Sequence, residues 1–201
     1  DRKTMVTDND LVMYDMISNE VDFIYFNTGS GIFKEKDSRK AAAYAIDRQN
    51  ILEKSYMNDG VLSDTIYYPN FLGVQDTGNI YQYDTEKADL LLSKLGYKDK
   101  NLDGKLEDKN DKPLEVKILV NSNNANRIAA AKTISKNLED VGFTVTVNSV
   151  PWEDYQRLIK NKDFDLLITG YTIEESYDLR TLFNGKSLWG YKNNTLYSQA
   201  R

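Results

Sequence analysis

Neither cysteine nor histidine occurs in the 201 residues. Without them the chain can build no Cys/His zinc site, no thiol nucleophile and no Ser-His-Asp triad, so any chemistry would rest on carboxylates, lysine, tyrosine or serine. The missing cysteine fits an extracytoplasmic protein that avoids disulfides, and equally many cytosolic ones. There is also no basic tract. The chain carries 26 Lys and Arg against 31 Asp and Glu, for a net charge of −5, which argues against a nucleic-acid partner because a phosphate backbone needs clustered positive charge. No apolar run approaches the roughly 18 residues that a membrane-spanning helix requires. The chain begins at Asp1 with no signal peptide or initiator methionine, as expected for a processed chain or an excised piece. What remains is ordinary for a soluble globular domain: 40% hydrophobic and 28% charged residues, and a length that suits one full-sized core.

The hydrophobic pattern orders the chain. "VDFIYFN" (21–27) is rich in aromatic and β-branched residues and ends at a Gly/Ser turn, so it reads as a strand. Two helices are expected in "DSRKAAAYAIDRQNILEKSYM", capped by Asp37 and Asp47. Residues 58–83 show no period and are expected to be a surface excursion stapled by tyrosines. "DTEKADLLLSKLG" reads as a helix with Asp84 as cap, Ala88, Leu91, Leu92 and Leu95 on one face, and Gly96 at its end. "LEVKILVN" is a strand. In "NANRIAAAKTISKNLEDVG", Ile128, Ala131, Ile134, Leu138 and Val141 recur at helical spacing and Gly142 closes the helix. "FTVTVNSV" alternates as a strand, "WEDYQRLIKNK" is a short helix, and "FDLLITG" is a continuous apolar strand of the buried, parallel kind. Residues 114–170 therefore read as a parallel βαβαβ unit with helices on its faces.

In open parallel sheets, ligands bind beyond the carboxyl ends of the strands. That rule selects the amide run Asn121–Asn124, the segment "SVPWEDY" with Trp152 and Tyr155, and "GYTIEES" with Gly170, Tyr171, Glu174 and Glu175. Amides, aromatics and carboxylates at one edge suit an amphipathic organic ligand bearing an amine. The plainer alternative keeps the asparagines as a helix cap, Trp152 in the core and both glutamates in solvent. "NGKS" (184–187) is no P-loop, because Arg180 stands where the first glycine is needed and no apolar strand leads into it. Glu174 and Glu175, adjacent in sequence, are ill placed to flank one glycosidic bond.

"DKNLDGKLEDKN" (99–110) opens like an EF-hand calcium loop, with Asp99, Asn101 and Asp103 at alternate positions and Gly104 sixth. It leads into a strand, however, and Asn110 occupies the twelfth place, where a bidentate Glu belongs. A polar turn is the expectation. A calcium-stabilised surface module stands as the alternative, and a carboxylate-dependent hydrolase is disfavoured for lack of histidine or a well-separated acid pair.

"YFNTGSGIFKEKDSRKAAAYAIDRQNIL", with Phe26-Asn27, Phe33, Asp37, Arg39, Ala41 and "AIDR" (45–48), resembles the signature of family-5 extracellular solute-binding proteins. The later sections "YDTEKADLLLSKLGYKD", "LVNSNNANRIAAAKTISKNLEDVGFTV", "PWEDY" and "FDLLITGY" follow the same order. The resemblance spans roughly residues 20–198 and implies an α/β, type II periplasmic-binding-protein-like lobe with a mixed, mostly parallel sheet and helices on both faces. Residues 1–201 would be the second lobe of a two-lobed receptor, with the first lobe elsewhere and the tail "GYKNNTLYSQAR" lying just before the chain returns to it. The resemblance further implies a monomeric, extracytoplasmic protein, periplasmic or a cell-surface lipoprotein, without enzymatic activity or cofactor. It would bind peptides and deliver them to the permease of an ABC importer. By the same resemblance, Gly170, Tyr171 and Thr172 would run beside the ligand main chain as in β-augmentation. Glu174 would replace an aspartate that takes the ligand α-amine, and Asn121 and Asn126 would face the cleft. The usual Asp-Pro after that acid is absent here, with "SYDLR" in its place. Sugars and metal chelates are the alternative ligands within the same fold.

Overall fold

The computed structural model describes residues 16–67 and 80–174. Four strands form one sheet: β1 (Glu20–Phe26), β2 (Glu115–Asn121), β3 (Thr144–Val150) and β4 (Leu166–Thr172), in the spatial order β1-β4-β2-β3. Strands β2, β3 and β4 are parallel, while β1 runs antiparallel to β4 along its whole length, from Glu20 opposite Thr172 to Phe26 opposite Leu166. The expected βαβαβ unit is present, with β2 at its centre. What the hydrophobic pattern did not contain is the direction of β1 or its place beside β4.

The helices are α1 (Lys36–Ala45), α2 (Arg48–Tyr56), α3 (Thr85–Lys94), α4 (Ala125–Glu139) and α5 (Trp152–Asn161). A side-chain cap begins three of them: Asp47 accepts from the Asn50 amide, Asp84 from Lys87 and Asn124 from Arg127. Each satisfies an amide that the first turn leaves orphaned. Asp37 is not the cap of α1. A 3₁₀ turn at Ile32–Lys34 feeds directly into the helix, so Glu35 holds the cap position without a side-chain bond and Asp37 falls in the first turn. There its charge suits the positive end of the helix. The Arg39 guanidinium secures the entry by donating to the Phe33 and Lys34 carbonyls. Gly96 and Gly142 follow α3 and α4 with φ of 90° and 89°, the left-handed turn that glycine adopts without strain.

The two crossovers leave β2 and β3 toward opposite faces of the sheet. On one face α4 packs Ala131, Ile134 and Leu138 against Val116, Ile118, Val120, Leu166 and Ile168, with α1 and α3 extending the same core through Ala41, Ala45, Ala88 and Leu92. On the other, α5 sets Tyr155 and Ile159 on Leu119, Phe164 and Leu167. Asn27 pins the end of β1. Its buried Nδ2 donates to the Phe164 carbonyl at 2.9 Å and to Lys162 at 3.2 Å, while Oδ1 accepts from the Gly29 amide. The ends of β1 and α5 are thereby locked together, and β4 is held in the middle of the sheet.

Candidate functional site

The carboxyl edge of the sheet is where the strand-end rule looked, and there the ladder between β2 and β4 stops early. It joins Ile118 to Leu166 and Leu119 to Leu167 and goes no further, although β4 continues to Thr172. Hydrogen bonding to β1 shows which way the β4 peptides then face. The Asn27 amide donates to the Asp165 carbonyl and the Ile173 amide to the Asn19 carbonyl, so the hydrogen-bonded pairs fall on odd residues of β4. In an antiparallel ladder the intervening residues turn their peptide groups to the opposite side. Ile168, Gly170 and Thr172 therefore face away from β1, into the gap beyond the end of the β2 ladder. The Ser122 amide donates to the Val150 carbonyl at 2.7 Å, which places the even residues of β2 toward β3 and turns the Asn121 peptide into the same gap. The first carbonyl there is already met, because the buried Tyr155 hydroxyl donates to the Ile168 carbonyl at 2.9 Å. Among the described residues no strand lies against the edge at Gly170 and Thr172.

The side chains around this slot divide between two faces by the alternation of strands. On the α5 side stands Asn121, in line with Leu119. Its residue is 6% exposed, and its buried Oδ1 has no hydrogen-bond partner. Such an acceptor costs about 1–3 kcal/mol unless something donates to it. Trp152, the first residue of α5, is 49% exposed and stacks on Tyr155 with ring centroids 5.5 Å apart. It is therefore not a core residue. Burial pushes the Tyr155 phenol above its ordinary pKa, countered in part by a hydrogen bond with Thr169 and by the Arg127 charge. Tyr171 is half-buried on this face, and Thr172 and Glu174 are exposed at the strand's end.

On the α4 side, Arg127 lies across β4. Its Nη2 and Nε donate to Asp22 Oδ1 at 2.7 and 3.1 Å, and the Tyr56 hydroxyl donates to Asp22 Oδ2 at 2.7 Å. Asp22 is the register partner of Gly170. A Cβ on Gly170 would sit 2.0 Å from Arg127 Nη2 and 2.3 Å from Asp22 Oδ1, so the absence of a side chain is what lets the ion pair close over the strand. Burial opposes the Arg127 charge, but the hydrogen bond and charge of Asp22 outweigh it and raise the guanidinium pKa. Burial, together with the bond to Asp22, drives the Tyr56 phenol well above its usual range. These groups rim an open cavity of about 750 Å³ that also reaches Ile51, Leu52, Val61 and the exposed Asn126.

The expected residues thus gather at one edge: Asn121, Trp152, Gly170, Tyr171, Thr172 and Glu174 around the slot, with Asn126 on the cavity rim. Of the asparagine run, Asn124 is the helix cap and Asn121 is not. Asp22, Tyr56 and Arg127 were missed by the sequence reading. The one signal that could have found them is a glycine inside an apolar strand, which often marks a close approach by another group. Glu175, the "NGKS" segment and the tail "GYKNNTLYSQAR" lie outside the described residues, as does part of the 58–83 excursion.

The calcium-like loop is a turn. Asp99 Oδ1 accepts from the Leu102 and Asp103 amides and Oδ2 from Gly104, and Asn101 and Asp103 likewise bond nearby amides. Among the described residues no group of three or more acidic side chains could hold a metal ion.

Residues 1–189 match the bacterial extracellular solute-binding proteins, family 5 Middle. Over its full length the chain is 26% identical to the oligopeptide-binding protein AppA of Bacillus subtilis, of which it spans 37%. The solved structure of that protein in complex with a nonapeptide superposes with a TM-score of 0.74 at 24% identity, covering 98% of this chain and 41% of that one. NikZ of Campylobacter jejuni, in complex with Ni(L-His), gives 0.77 at 20% identity, covering 99% and 41%. The chain belongs to family 5 of the extracellular solute-binding proteins, a family of binding proteins rather than enzymes. Its fold is the α/β fold of type II periplasmic binding proteins.

Proposed function

From that membership, we propose that this chain is one lobe of a two-lobed oligopeptide receptor, and that it supplies the strand edge on which the ligand main chain is held. The full receptor would close over the peptide outside the cytoplasm, as a periplasmic protein or surface lipoprotein acting as a monomer, and deliver it to the permease of an ABC importer. The observation that carries this reading is the slot between β2 and β4. The peptide groups of Gly170 and Thr172 face outward beyond the end of the β2 ladder, and an extended peptide can add there as a strand. Main-chain pairing gives affinity while tolerating varied side chains. Around that edge Asn121 offers a carboxamide oxygen in need of a donor, Trp152 and Tyr171 offer aromatic surface, and Asn126 adds a further amide. Glu174, exposed just past the end of β4, would receive the ligand's α-ammonium group.

Calorimetry on the full-length protein tests the assignment. Glu174→Gln should weaken binding of free-amine nonapeptides far more than of the same peptides N-acetylated, and equal losses for both would remove Glu174 from the site. The likeness to NikZ, whose structure holds Ni(L-His), favours a second reading as a metal-chelate receptor. Mass spectrometry of the solute that co-purifies with the full-length protein separates the two.

A further inference from the structure

We infer that Asp22, Arg127 and Tyr56 form a positioning clamp that fixes the Gly170 peptide at the ligand edge, an inference that rests on the peptide-receptor reading above. The three side chains come from β1, α4 and α2, and they converge on the single rung where Asp22 faces Gly170. The ion pair closes directly over the Gly170 backbone, at a spacing too small for even a methyl group. Its side chains are only 21% and 27% exposed, so water competes weakly for them, and two donors, Nη2 and Nε, converging on one Asp22 oxygen hold Arg127 in one orientation. Arg127 stands in the first turn of α4, whose cap Asn124 lies three residues beyond Asn121 at the end of β2. Its side chain therefore reaches from the helix that follows β2 across β4 to Asp22 on β1. The clamp presses on the face of β4, whereas the peptide groups offered to ligand project from its edge. These groups act through Gly170 and need not touch the ligand.

The test compares the full-length parent with Arg127→Gln and Asp22→Asn, using a degenerate nonapeptide pool as probe. Binding, the thermal midpoint and hydrogen exchange of the segment 166–174 are measured on each. The expected result is a loss of about tenfold in affinity, equivalent to about 1.4 kcal/mol, with faster exchange in that segment before peptide is added and weaker protection after. A merely structural role would lower the midpoint and leave binding and protection by peptide as in the parent, which overturns the clamp. Should Arg127→Gln fail to fold, Asp22→Asn applies the same criterion, since its amide keeps the side chain's size and one oxygen to accept from Arg127, while the charge pairing and the oxygen that accepts from Tyr56 are lost. A parent whose segment 166–174 gains no protection from the pool overturns the peptide reading and the clamp with it. Protection retained equally in parent and variants overturns the clamp alone.

Discussion

Gly170→Ala adds one methyl group at the most crowded point of the sheet edge. The new Cβ would meet Arg127 Nη2 at 2.0 Å and Asp22 Oδ1 at 2.3 Å, distances that no packing adjustment of a few tenths of an ångström can absorb. Two responses are open. Either the ion pair parts, losing charge-assisted hydrogen bonds worth about 1.5–3 kcal/mol apiece when well shielded, or β4 moves and strains the core at about 1–3 kcal/mol. The pair retains some exposure, so the lower part of the first range applies, and the cheaper response sets the cost at about 2 kcal/mol. That is a sizeable part of the roughly 5–15 kcal/mol that holds a typical domain folded. In urea unfolding the midpoint of this domain should fall by about 1 M at an unchanged slope. The same substitution made in an Arg127→Ala background should cost at least about 1 kcal/mol less, because neighbouring sites couple. A Gly170→Ala protein within about 0.5 kcal/mol of the parent, or costs that simply add in the double variant, would refute the steric reasoning.

Four further outcomes are expected. Asn121→Leu removes a buried acceptor without a partner, so stability by urea midpoint should hold or rise while affinity for the nonapeptide pool falls; unchanged binding would take Asn121 out of the site. Tyr155→Phe leaves the Ile168 carbonyl unmet and should cost about 1–3 kcal/mol in the same assay. Asp99→Ala should cost about 1 kcal/mol through its lost turn bonds, and calorimetry with calcium on the parent should show no tight binding; a submicromolar site abolished by Asp103→Ala would reinstate the calcium reading. Acid should weaken the fold in part through Asp84, whose carboxyl is held below its ordinary pKa by the Lys87 side chain and amide, and through Asp108, held down by the Lys112 and Asn110 amides. A lowered folded pKa contributes stability above the unfolded value of about 3.9 that is lost as pH falls through the folded one. Asp84→Asn should therefore flatten the decline of the urea midpoint below about pH 4.

Helices and strands were legible where burial follows a local period. The run Ile128, Ala131, Ile134, Leu138 and Val141 needs only its own spacing to declare a buried helical face, and all but Ile128 are fully buried. Asp47, Asp84 and Asn124 could be identified as caps or cap candidates because a cap bonds an amide three residues on. Asp37 misled because the 3₁₀ turn before it already supplies an entry to the helix. The direction of β1 was not legible, since its partner lies 140 or more residues away and nothing in "VDFIYFN" encodes which strand it joins. The same holds for the clamp. Asp22 reads as a polar residue in a strand, Tyr56 as a helix end and Arg127 as a first-turn residue, and only the register that sets Asp22 beside Gly170 makes them one group.

Gly170 shows why strand-end reasoning gives an incomplete account of this sheet edge. A glycine beside a ligand-binding strand invites the explanation that ligand backbone needs room there. In a strand, however, a side chain leaves perpendicular to the sheet while the peptide group lies within its plane. The space that glycine vacates is on the α4 face, and Arg127 and Asp22 fill it. The peptide group points into the slot, where a ligand strand would pair, and that direction stays open whichever residue occupies position 170. The glycine is thus required by the protein's own ion pair, and the exposed edge is created by the early end of the β2 ladder at Leu119. An alanine at 170 should therefore disturb peptide binding only by dislodging the clamp.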